Sequence, residues 1–137
     1  RQTGLTLIEL MVVIAVLAIL TAIGYPMYTD QVQKTRRTDA RNALRMIALA
    51  QERFYTVNGV YADDLGALNL PEAIQAGDSV EGHYDISISL PANNLAFTIT
   101  ATPASDSGQS KDEDCKELSL DQTGLQHANG VDVDHCW

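Results

Sequence analysis

The chain has few bases where a nucleic-acid-binding domain would be rich in them. Beyond Val57 there are two, Lys111 and Lys116, against fourteen Asp and Glu, a net charge of minus twelve. An acidic surface repels phosphate backbones, so a broad nucleic-acid face on this part is disfavoured. DNA capture survives only as a reading in which a local Lys111/Lys116 patch suffices. Cysteine is also scarce, with Cys115 and Cys136 both close to the C-terminus. An even pair beyond an export-like segment reads as one disulfide made in an oxidising compartment. A metal pair is the weaker reading, because His127 and His135 complete no familiar zinc spacing. His83, His127 and His135 are scattered, and no nucleophile–base constellation, Gly-rich phosphate loop or metal-ligand cluster stands out. The chain therefore reads as a non-enzyme, with no catalytic residue, cofactor or metal site expected. No EF-hand spacing occurs, so Asp112, Glu113, Asp114, Asp121, Asp132 and Asp134 read as a solvated acidic edge, with calcium binding the alternative.

What is abundant is apolar and concentrated at one end. Leu5 to Ile23 carries a single charge, Glu9. At about 1.5 Å per residue, such a helix spans about 30 Å, one bilayer core. Arg1 on the short flank favours a cytoplasmic N-terminus and sends the acidic part across the membrane. One alternative is a cleaved secretory signal ending at the small residues Ala22 and Gly24. Glu9 inside the apolar centre, and helical patterning that continues past the cleavage point, count against it. A plain one-pass anchor, with Glu9 near the interface, is the other.

Gly24 and Pro26 mark a weak point behind the apolar run. Proline in a helix interior costs about 3 kcal/mol and glycine up to ~1, so the site predicts a kink or a place that melts. From Tyr28 the period is helical again. Ala40, Ala43, Leu44, Ile47, Ala48, Gln51 and Phe54 form one stripe. This predicts one helix from about Thr6 to about Thr56, its first half bare and its second covered by a head. Lys34, Arg36, Arg37, Arg41, Arg45 and Arg53 lie off the stripe. They read as a solvated face with i,i+4 pairing, in which Asp39 helps, or as a complement to the acidic heads of neighbouring copies.

In the head, Asn58-Gly59 predicts a turn and Tyr61–Leu65 a short helical turn, with an irregular connection through Pro71 and Gly77. Tyr84, Ile86, Ile88 and Leu90 alternate with polar residues, as do Leu95, Phe97, Ile99 and Ala101. Around Pro91–Asn94 these predict an antiparallel hairpin with one face on the helix. A third strand is expected at Glu117–Leu120, ending at Gly124. The fold class is α+β. A Cys115–Cys136 bond would close a loop of about twenty residues, worth about 3 kcal/mol by chain entropy.

Gly4 followed by Leu5-Thr6-Leu7-Ile8-Glu9-Leu10 and an apolar helix resembles the class III signal of type IV pilins and type II secretion pseudopilins, with Leu5 where phenylalanine is usual. The resemblance implies that a prepilin peptidase cuts between Gly4 and Leu5 and methylates Leu5. It makes residues 1–4 a leader remnant, residues 5–27 the membrane and filament-core helix, and residues 28–137 the head. Within the head it gives an amphipathic helix half (28–57), an αβ-loop (58–83), a sheet (84–120) and a disulfide loop (115–136). It gives Glu9 a role in assembly, through the amino group of a neighbouring subunit, and implies that Gly24 and Pro26 lose helix in the filament. The order of elements resembles the type IVa, PilE-like pilins and minor pilins: a long helix on a small antiparallel sheet, closed by a C-terminal disulfide. The implied function is a structural subunit of a type IV pilus serving adhesion, twitching motility or DNA uptake. Such a subunit sits in the inner membrane before polymerising into an extracellular filament. Its implied partners are other pilins, the prepilin peptidase and the inner-membrane assembly platform. A type II pseudopilin is the alternative, disfavoured by the cysteine pair. A minor pilin that binds DNA is the second alternative, disfavoured by charge.

Overall fold

The computed structural model describes residues 6–130 and 133–137. Gly4 and Leu5, the expected cleavage and methylation positions, lie outside the described residues, as does Asp132. The expected long helix is α1 (Leu7–Asn58). The chain divides into two compact units within α1, one ending at Val32 and the other Gln33–Trp137.

In the first unit, the large apolar side chains from Leu7 to Tyr28 are exposed. They contain a window long and apolar enough to cross a membrane, none of it buried. The Thr21 hydroxyl donates to the carbonyls of Leu17 (2.9 Å) and Ala18 (3.0 Å). That back-bonding satisfies a polar group inside an apolar stretch. The helix runs unbroken through Gly24 and Pro26. Pro26 has no N–H to give, so the Ala22 carbonyl loses its helical partner there.

In the second unit the stripe is buried as its spacing predicts. Ala40, Ala43, Leu44, Ile47 and Gln51 are fully buried, with Ala48 and Phe54 packed against the same core. Among the described residues, β1 (Tyr84–Ser89), β2 (Thr98–Pro103), β3 (Cys115–Asp121) and β4 (Gln126–Gly130) form one antiparallel sheet in that order. Ile86 pairs with Ala101, Ala101 with Leu118 and Leu118 with Ala128, one row of the inner face. Tyr84, Ile86, Ile99, Ala101, Leu118 and Leu120 share one core with the helix stripe.

Four expectations shift. The second strand begins at Thr98, not Leu95, which is exposed. The segment before it is tied elsewhere: the Asn94 carbonyl accepts from Tyr61 N–H (2.9 Å) and the Phe97 carbonyl from Gln122 N–H (3.2 Å). Phe97 still turns inward, edge-on to Tyr61 at 4.8 Å. Tyr61 and Ala62 are not helical, and the short turn falls at Leu65–Leu68, where the Asp64 side chain accepts from Gly66 N–H (3.0 Å). The sheet gains β4, and the short helices α2 (Glu72–Gln75) and α3 (Val133–Cys136) appear.

Gln51 belongs to the apolar stripe because both ends of its amide are used. Its Nε2 donates to the Ala62 carbonyl (2.7 Å) and its Oε1 accepts from Ala62 N–H (2.9 Å). Gln51→Ala strands both Ala62 groups in the core, at about 1–3 kcal/mol for an unsatisfied group. Urea unfolding should show about 2–4 kcal/mol lost, and a loss under about 0.5 would contradict this role.

Candidate assembly site

The N-terminal site is built by the start of α1. Thr6 is the residue before the helix and Glu9 is the third residue inside it. Glu9 Oε2 accepts from Thr6 N–H (2.8 Å) and the Thr6 hydroxyl (2.7 Å), while Glu9 N–H donates to that hydroxyl (3.3 Å). This is a capping box: each residue satisfies a donor that the first helical turn leaves open. The carboxylate also faces the positive end of the helix dipole. Glu9 is therefore not a lone acid but one already partnered within its own chain. The spacing Thr-x-x-Glu ahead of an apolar run is the sequence signal for this.

At the weak point, a Cβ on Gly24 would meet nothing within 4 Å. Among the described residues, no packing demands glycine there. The Thr29 hydroxyl donates to the Pro26 carbonyl (2.8 Å), one turn beyond.

The arginines divide: Arg37 departs from the solvated-face reading, while Lys34, Arg45 and Arg53 are exposed as it expects. Arg37 is buried, its Nε and Nη2 donating to the two carboxylate oxygens of Asp112 at 2.7 and 2.8 Å. Asp112 raises the Arg37 pKa above its ordinary value through that hydrogen bond, against the opposing effect of burial. Arg37 and Asp112 thus form an intramolecular pair, not a solvated face. Arg41 donates to the main-chain oxygen of Trp137 and to the Thr38 hydroxyl. Among the described residues, Asp39 has no arginine partner; it accepts from the Ser79 hydroxyl (2.6 Å) and Glu81 N–H (3.2 Å), tying α1 to the turn before β1. Arg45 and Arg53 stay exposed.

Cys115 and Cys136 form the expected disulfide, buried at the base of the C-terminal loop. Two of the acids in the calcium alternative are engaged elsewhere, Asp112 with Arg37 and Asp121 in a turn. Asp121 Oδ1 accepts from Thr123 N–H (2.8 Å), the Thr123 hydroxyl (2.6 Å) and Leu125 N–H (3.0 Å). Lys111 ends a short 3-10 turn (Gly108–Lys111) and Lys116 lies on β3, both exposed. A further surface is an open groove between α1 and the loop after the Leu65–Leu68 turn. Met46, Leu49, Phe54, Val57 and Leu70 line it, with Arg53 among them.

Known proteins resemble this chain in both parts. Residues 1–25 match the family described as "Prokaryotic N-terminal methylation motif". Residues 26–119 match the family described as "Type IV minor pilin ComP, DNA uptake sequence receptor". The chain is 35% identical over 122 residues to the fimbrial protein EcpC of Eikenella corrodens, spanning 89% of this chain and 75% of that one. It is 30% identical over 119 residues to the type IV major pilin protein PilE of Neisseria gonorrhoeae, spanning 87% of this chain and 66% of that one. A solved type IV pilin from Shewanella oneidensis superposes with a TM-score of 0.54 at 30% identity, over 77% of this chain and 97% of that one.

Proposed function

The chain belongs to the type IV pilins, and we propose that it is inserted in the inner membrane as a prepilin, cut after Gly4, methylated on Leu5 and polymerised through Glu9 into a surface filament. The observation that carries this reading is a helix whose large apolar side chains from Leu7 to Tyr28 are exposed and interrupted by one carboxylate, Glu9. Lipid covers that surface before assembly, and the same surface of other subunits replaces lipid afterwards. The prepilin peptidase and the inner-membrane assembly platform are the partners this route requires. Immunogold labelling of sheared surface filaments with antibody against the head tests it. Label along the filament supports the reading, and filaments bare of label in a strain that makes the protein would end it.

The weak point yields a separate expectation. Gly24→Ala should tighten the free helix by about 1 kcal/mol, since the site is open and alanine is the better helix former. If Gly24 and Pro26 let the helix melt in the filament, the variant's filaments should extend less under load in an optical trap. Unchanged extension would remove that role.

A second reading is DNA reception, favoured by the match over residues 26–119 to a family described as a DNA uptake sequence receptor. The head's charge speaks against it, for Asp85, Glu117 and Asp121 sit on the sheet and two lysines oppose fourteen acids beyond Val57. A mobility shift of duplex DNA by the fragment from Tyr28, weakening steeply with salt, would establish this reading. No shift at low salt would remove it. The cysteine pair, joined as a disulfide, favours a pilus subunit over a type II pseudopilin.

A further inference from the structure

We infer that the Arg37–Asp112 pair is the template on which Cys115 and Cys136 are joined. Asp112 takes both forks of the Arg37 guanidinium, and its Oδ1 also accepts the backbone N–H of Cys115 at 3.2 Å. Gln109 Nε2 donates to the other oxygen at 2.7 Å. Through Nη1, the same guanidinium donates to the carbonyl of His135, the residue before Cys136, at 3.3 Å. One buried side chain of α1 thus fixes the backbone beside each sulfur, Cys115 through Asp112 and Cys136 through His135. One turn along the helix, Arg41 holds the main-chain oxygen of Trp137 on the other side of Cys136. The Trp137 indole donates to the His127 carbonyl at 2.8 Å, which pins the same segment to β4. The carboxylate of Asp114 lies 3.9 Å from Arg37 and 3.8 Å from the His135 ring.

None of these bonds uses a sulfur atom, so all are open to the reduced chain. The two cysteines are 21 residues apart in sequence. Bringing such ends together costs conformational entropy, and a preformed clamp removes most of that cost from the oxidation step. The step itself is thiol–disulfide exchange with a small disulfide donor. One cysteine thiolate attacks the donor disulfide and expels a donor thiolate. The other cysteine thiolate then attacks the mixed disulfide and expels the second. The two protein thiols lose two electrons and two protons, and the donor gains them as two thiols. Arg37 and Asp112 act as positioning residues: they set how often the second thiolate meets the mixed disulfide.

The test equilibrates the full chain in detergent micelles with mixtures of reduced and oxidised glutathione, and counts the disulfide by alkylation and mass spectrometry. Arg37→Lys keeps the charge but cannot hold Asp112 and His135 together. Its equilibrium constant for disulfide formation should fall at least about tenfold, or about 30 mV in potential, while in concentrated urea it matches the parent chain. A folded Arg37→Lys chain with an unchanged constant overturns the inference. If that variant does not fold, the Cys115→Ser/Cys136→Ser chain decides. The clamp should then keep the amide at position 115, which Asp112 holds, protected from hydrogen exchange. Loss of that protection would mean that the disulfide holds the clamp, and would equally overturn the inference.

Discussion

Glu9→Val is expected to leave the chain in the membrane and to remove it from filaments. The apolar run that inserts is made longer by the change, so insertion itself is not harmed. Filament entry loses a paired charge. A carboxylate in hydrocarbon costs about 2.5–3.5 kcal/mol at mid-membrane and less near the interface. On the proposed route, the amino group of a neighbouring subunit adds a counter-charge in the assembled state that the Thr6 cap does not supply. At about 1.4 kcal/mol per factor of ten, loss of the pair should cut filament yield roughly a hundredfold. The capping box makes the result interpretable. Thr6 holds Glu9 Oε2 through both its N–H and its hydroxyl, so Glu9→Val also removes a helix cap. Thr6→Ala removes the hydroxyl half of that cap and keeps the charge. A lost cap costs about 1 kcal/mol, so its yield should fall less than about tenfold. Glu9→Gln keeps the shape without the charge and should behave like Glu9→Val. If Glu9→Gln assembled like the parent while Thr6→Ala did not, capping and not pairing would be the function of Glu9.

The second large effect lies in the head. Arg37→Ala should cost about 3–5 kcal/mol, because it leaves the Asp112 carboxylate, 1% exposed, without its counter-charge. Thermal unfolding of a domain of this size moves about 4–8 °C for each kcal/mol, so the midpoint should fall by roughly 12–40 °C. The paired replacement Arg37→Met/Asp112→Leu removes both charges together. It should recover only part of the loss, since it removes the unpaired charge but still strands the Cys115 N–H and Gln109 Nε2 that Asp112 holds. A drop under about 1 kcal/mol for Arg37→Ala would mean that the pair is not structural in the sense its geometry implies.

That pair also marks the limit of what the sequence carries. Arg37 and Asp112 stand 75 residues apart. Nothing in the run Lys34, Arg36, Arg37, Arg41 distinguishes the buried Arg37 from the half-buried Arg36 and Arg41 or the exposed Lys34. Periodic burial is different, because a face repeats. The stripe from Ala40 to Gln51 and the alternation at Tyr84 and Ile86 each announce the side of the element that meets the core. β4 is silent for the opposite reason. Gln126-His127-Ala128-Asn129-Gly130 has no β-branched or aromatic residue, and its strand exists because β3 offers it a ladder. The four-residue helices α2 and α3 are too short for a period to form. Thr6 and Glu9 lie between these cases. Their spacing is a local signal plain in the chain, and weighing Glu9 only as a membrane charge obscures it.

Mass spectrometry of the protein recovered from sheared surface filaments tests the account at its centre. It predicts a chain that begins at Leu5 carrying an N-methyl group, with Cys115 joined to Cys136. A chain that begins at Tyr25 would contradict it, for the apolar helix and Glu9 would then have been discarded before any filament could use them.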